Sequence, residues 1–176
     1  LSSAFSLASR SMQSTLLAWF VLDITDSPFH VALVGVFGWT PLLLLGMIGG
    51  TLADSLDRKR VFAATLTVSL ATVFTFTIIL VVGSVQIWHA YLTIFITGSC
   101  YVLGMPSRRS LLHVIVGRDR ITNAVALDNL GQNASAILGP AIAGFLIVAW
   151  GVASGYLALT ILFCSSLLLL WKLKVH

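Results

Sequence analysis

Gly50-Thr51-Leu52-Ala53-Asp54-Ser55-Leu56-Asp57-Arg58-Lys59-Arg60 places two acids and three bases within seven residues, in a 176-residue chain of which only 9% is charged. Long apolar runs flank it on both sides, so the cluster marks a boundary between them. Gly50 lets a helix approach a neighbour closely, and the acids and bases are near enough to pair with one another or with a neighbouring helix end.

Working outward, the apolar content of 58% and mean hydropathy of +1.01 lie outside the soluble globular class, in which about a quarter of residues are charged. An all-α integral membrane protein follows. A span needs about 20 apolar residues. The uncharged run before the cluster holds one, and Val61 to Ser107 breaks at Gly83-Ser84-Val85-Gln86 into two. Ile121 to Trp171 contains only Asp128 as a charge and divides at Trp150-Gly151-Val152. With the opening segment, six transmembrane helices are expected, at about 1–22, 31–53, 61–82, 87–107, 123–149 and 152–171.

Basic residues collect in cytoplasmic loops. Arg58, Lys59 and Arg60 follow span two, Arg108, Arg109, Arg118 and Arg120 follow span four, and Lys172 and Lys174 follow span six, whereas the opposite loops hold Asp23, Asp26, His30 and His89. Both termini are therefore expected in the cytoplasm. The same asymmetry accounts for the net charge of +4, so the charge is no nucleic-acid signal. Trp19, Trp88, Trp150 and Trp171 fall near span ends, where amphipathic rings prefer the headgroup level, while Trp39 falls inside span two. Cys100 and Cys164 lie within spans and imply no disulfide, and the Asn133-Ala134-Ser135 sequon sits inside span five. The first span reaches Leu1 without an initiator Met, which suggests a chain trimmed at its N-terminus.

Span one is the most polar: Ser3, Ser6, Arg10, Gln13 and Ser14 follow helical spacing, and that stripe should face protein or water. Arg10 lies about 20 Å from Asp23, near or somewhat below the midplane, where a charge is a candidate for function unless it snorkels inward. Asp128 is about 33 Å from Trp150, near the cytoplasmic surface, and reads equally as a helix-start acid or a proton site. An Arg10 to Asp128 pair would span roughly 10 Å of depth and is not expected. Gln132 at i+4 extends a polar face from Asp128. Gly46 and Gly50 stand in GxxxG spacing, and Gly131, Ser135, Gly139 and Ala143 form a small-residue ridge that admits a close helix. Pro140 kinks that helix. Spans three and six show little polar periodicity and read as lipid-facing outer helices. The stretch from Arg108 to Asn123 reads as a basic loop that anchors topology, with anionic-lipid contact as the alternative.

Gly50, Leu52, Ala53, Asp54, Arg58 and Lys59 match the loop between the second and third helices of major facilitator superfamily transporters, Gly-x-Leu-Ala-Asp-(Arg/Lys)-x-Gly-Arg-(Arg/Lys), with Ser55 and Asp57 as departures. Gly139-Pro140 through Gly144 resembles the span-five motif of the antiporters, Gly-x-x-x-Gly-Pro-x-x-Gly-Gly, with Ser135 and Ala143 standing for two glycines. Together with Trp19 to Pro28, Pro106 to Leu111 and Asn123 to Leu127, these motifs resemble the enterobactin-exporter-like branch, where an Asp at position 57 is usual.

The resemblance implies half of a major facilitator superfamily fold, two inverted three-helix repeats whose C-terminal six-helix partner is absent. It further implies a secondary active exporter of small amphipathic molecules, such as siderophores or drug-like compounds, in the inner membrane of a bacterium and working by rocker-type alternating access. Gly50, Asp54, Asp57, Arg58 and Lys59 would form the cytoplasmic latch. Arg10, Gln13, Ser14, Asp128 and Gln132 would face the substrate cavity, and Ser135, Gly139, Pro140 and Gly144 would carry the exporter motif. An uptake permease, or a non-transporting six-helix scaffold or dimeric half-unit, remains the alternative. No catalytic motif, metal site or cofactor is implied; the superfamily's drug-proton antiporters carry an Arg within span four, here uncharged before Arg108, which leaves proton coupling open.

Overall fold

In the computed structural model, residues 2–55, 57–116 and 121–172 are described, with side chains placed outside 2–5, 47–55, 58, 109, 111–116, 121 and 171–172. The described residues form five helices: α1 (Ser2–Thr25), α2 (Pro28–Ser55), α3 (Arg58–Val82), α4 (Ile87–Val116) and α5 (Ile121–Lys172). At 52 residues, α5 would extend about 78 Å as one straight helix, more than twice a bilayer core. Its backbone leaves helical geometry at Gly151 (φ 80°, ψ 174°), a conformation reserved for glycine.

Among the described residues four segments are apolar and long enough to cross a membrane: Pro28–Gly46, Lys59–Val82, Ile87–Arg108 and Thr122–Leu170. The polar stripe of α1 keeps it out of this group, although its apolar face is buried. Met12, Leu16, Leu17, Phe20 and Val21 enter one core with Phe62, Leu66, Val73 and Phe76 of α3 and Tyr156, Leu159 and Phe163 of α5. Phe76 is the centre, edge-on to Phe20 at 5.7 Å and tilted against Tyr156 at 4.8 Å. The expected lipid-facing character of α3 and of the segment after Gly151 is therefore correct for one face only, represented by Val68, Phe74, Ile78 and Ile161.

Both ends of α3 have a physical stop. Asp57 caps α3, its carboxylate accepting from the backbone N–H of Lys59 (2.9 Å) and Arg60 (3.4 Å), and Gly83 closes the other end in the left-handed conformation (φ 77°). The acid that departs from the superfamily loop pattern is thus a cap. In contrast, the expected basic loop after Ser107 is helical to Val116. Pro106 lies inside α4 rather than ending it, because it removes one backbone bond without removing the packing that holds the helix on α2 and α3.

Small residues decide which helices touch. α1 packs most extensively on α5, and α2 on α4. The α5 ridge meets α1: a Cβ at Gly139 would collide with Ser11 Oγ and lie 3.0 Å from the Met12 nitrogen, and one at Gly155 would strike Leu16. Ser11 Oγ donates to the Ser135 carbonyl at 2.6 Å, joining the two backbones. Gly98 of α4 comes as close to α2, where its Cβ would stand 3.1 Å from the Gly38 carbonyl. Near the opposite end of that pair, His30 Nδ1 and Tyr91 Oη are 2.9 Å apart, and Tyr91 stacks on Phe37.

The ridge predicts a graded response in the full-length protein. Gly139→Ala should lower its stability by about 1–3 kcal/mol through overpacking against Ser11, whereas Gly131→Ala, facing open space, should leave it unchanged. Thermal unfolding in detergent measures both, and equal midpoints would refute the packing assignment.

Candidate functional site

The polar stripe of α1 is sheltered where α1, α2, α4 and α5 converge. Gln13, 1% exposed, donates from Nε2 to Thr97 Oγ1 at 3.2 Å. One turn away, Arg10 lays its guanidinium 4.3 Å from the centre of the Tyr101 ring and directs Nη2 at the Gly38 carbonyl, 3.4 Å away. A cation–π contact and one long hydrogen bond hold the side chain in place without neutralising it. Arg10 thus remains a positive charge inside the bundle.

It lies on the wall of a groove of about 550 Å³, lined also by Ser14, Gly35, Trp39, Gln132 and Asn133. That volume suits a drug-sized molecule, and the lining combines an apolar and aromatic surface with a few convergent polar groups. Trp39, unassigned within its span, is 66% exposed on this wall.

A second polar assembly lies on α4 and α5. Arg108 Nη1 and Asp128 Oδ1 are 2.7 Å apart with side-chain exposures of only 4% and 14%, and Gln132 Nε2 donates to Asp128 Oδ2 at 3.0 Å. The carboxylate therefore has a partner on each oxygen. Among the described residues the Arg108 Nε and Nη2 have none. Arg108 also lines a smaller cavity of about 50 Å³ that reaches Arg10 and Gln13.

The expected cavity set is thus divided. Arg10, Ser14 and Gln132 line the groove, Gln13 turns to the small cavity, and Asp128 is held by Arg108. Of the residues expected to carry an exporter motif, Ser135 and Gly139 contact α1, Pro140 lies inside α5, and Gly144 faces open space. For the latch, Asp57 and the Lys59 backbone form the α3 cap, while the side chains at Gly50, Asp54 and Arg58 lie outside the described residues.

Arg108 and Tyr101 are absent from the expected set. The signal for them is present: Thr97, Tyr101, Gly104 and Arg108 recur at three- and four-residue spacing, so the polar face of α4 continues through Pro106 to the arginine.

The family model described as transmembrane secretion effector, within the major facilitator superfamily, matches residues 1–176. The chain is 29% identical to the uncharacterized MFS-type transporter YfiS of Bacillus subtilis (strain 168), over 73% of this chain and 30% of that protein. It is 27% identical to the staphyloferrin A transporter of Staphylococcus aureus (strain NCTC 8325 / PS 47), over 87% of this chain and 39% of the relative. The multidrug efflux pump Tap of Mycolicibacterium fortuitum is 27% identical over 90% of this chain and 40% of its own length. The chain thus spans between 30% and 40% of the curated relatives it matches.

Removing one member of a buried ion pair strands the other, at about 3–5 kcal/mol. Asp128→Asn in the full-length protein should therefore lower the unfolding midpoint sharply. The Arg108→Gln/Asp128→Asn double variant should lose less than the two single changes combined, because neither charge is then stranded. Additive losses in a double-mutant cycle would show that the contact carries no coupling.

Proposed function

Because the chain belongs to the transmembrane secretion effector family of the major facilitator superfamily, we propose that it forms the N-terminal six-helix half of an exporter of small amphipathic molecules. The family is one of transporters rather than enzymes, and the chain is an integral, multi-pass membrane protein. Six spans are counted by taking the Gly151 break in α5 as the turn between two crossings, which leaves two groups of three helices as the inverted repeats. Both termini then lie in the cytoplasm, at the inner membrane of a bacterium.

One observation carries the reading. The groove built by α1, α2, α4 and α5 contains a cation held over an aromatic ring and is walled by the exposed Trp39. A charged contact deep in an apolar groove is the chemistry that a partly polar, partly apolar substrate requires. Two of the relatives are named for staphyloferrin A and for multiple drugs, which agrees with such a substrate range. The second half of the carrier would close the groove, and rocking of one half against the other would expose it alternately to each side. Asp54 and Arg58 serve as the cytoplasmic latch of the outward-open state.

Vesicles carrying the full-length protein test the proposal through substrate accumulation with and without a proton gradient. Accumulation inside inverted vesicles supports export, accumulation in right-side-out vesicles would instead indicate uptake, and none in either would leave the scaffold reading. Dependence on the gradient assigns proton coupling. Arg10→Leu should weaken transport of anionic substrates roughly tenfold or more, the worth of a hydrogen bond to a charged group. Asp54→Asn should abolish transport while membrane insertion stays normal, and an active, inserted variant would remove the latch.

A further inference from the structure

The small cavity between α1, α3, α4 and α5 is chemically unlike the groove. We propose that it binds a small monovalent anion of halide size between Arg10 and Arg108. This inference is independent of the direction of transport and of the substrate.

Three observations converge on it. First, the cavity is lined by Arg10, Gln13, Ser69, Thr97, Tyr101 and Arg108 among others, with no carboxylate among the described lining residues, and because Ser69 and Thr97 already donate to backbone carbonyls, the arginines are its main donors. Second, Arg108 is 96% buried, since its side-chain exposure is 4%, and two of its guanidinium nitrogens, Nε and Nη2, have no hydrogen-bond partner among the described residues. A buried charged donor left unsatisfied is among the most unfavourable arrangements available to a fold. Third, Asp128 is taken by Arg108, and Arg10, which lines the same cavity, has no carboxylate partner among the described residues, so its positive charge is left without a counter-charge.

Size decides between ligands. A water molecule requires about 10–15 Å³ of such space, so the roughly 50 Å³ cavity accepts a halide with a water or two and excludes any drug-sized molecule. Water alone would satisfy the free N–H groups but leave the charge uncompensated. An anion does both, accepting from Arg108 while balancing the charge of Arg10. Because Arg10 lines both cavities, occupancy of the small one fixes the side chain that the groove presents.

The test uses full-length protein in lipid nanodiscs, prepared in sodium gluconate, an anion too large for the cavity. Chloride or bromide replaces gluconate at constant ionic strength while unfolding is followed by tryptophan fluorescence. The expected result is a saturable rise of a few degrees in the midpoint for both halides. Arg10→Gln should abolish the rise by removing charge, and Ser69→Leu by filling the cavity while leaving both arginines in place. His89→Gln, in the first turn of α4 at the end of the helix far from Arg108, should retain it. Superimposed halide and gluconate curves would overturn the proposal in favour of water alone. So would a halide response that survives in both Arg10→Gln and Ser69→Leu, since the ion would then bind elsewhere.

Discussion

A helix that carries Arg10, Gln13 and a series of serines cannot face hydrocarbon, and the rest of the bundle is arranged to shelter it. Its apolar side contributes Leu16, Leu17 and Val21 to the core at 0% exposure. Its polar side requires neighbours close enough to offer hydrogen bonds rather than lipid. Ser135, Gly139 and Ala143 provide that closeness, because without side-chain bulk the α5 backbone itself becomes the partner of Ser11. Close packing and polar satisfaction are therefore one solution to one problem.

The charges extend the same logic. Asp128 would be unfavourable alone and is stabilised by Arg108 and Gln132; Arg108 is in turn held beneath Pro106 on a helix that the proline fails to end. Arg10 is treated differently, given a ring face and a distant carbonyl instead of a counter-charge. For the proposed carrier, a cation that is positioned but not neutralised is suited to a substrate that must be released again.

Much of the architecture was legible in the residues because lipid imposes simple rules: apolar runs of fixed length, basic residues gathered between them, small residues at helix contacts. The Gly139 ridge and the polar face of α1 were read from spacing alone. Arg108 was misassigned for an equally physical reason. Pro106 followed by two arginines satisfies the usual signs of a loop at the membrane surface, and only the tertiary environment, Asp128 twenty residues further along the chain on another helix, shows the helix continuing. Asp57 departs from the superfamily loop but fits the branch pattern, and its carboxylate on two backbone N–H groups gives it a physical role as the cap of α3. Trp39 could not be placed because exposure to lipid and exposure to a groove look alike in one dimension.

Pro140 has a chemical effect besides bending its helix. Having no N–H, it leaves the carbonyl four residues earlier, that of Ala136, without its helical donor, and Ala136 lines the groove beside Gln132 and Asn133. A residue of the groove wall thus carries a main-chain carbonyl that lacks its usual helical partner. Such a group is fixed by the proline at position 140, not by the side chain at 136, and so survives any substitution of Ala136 that keeps the helix.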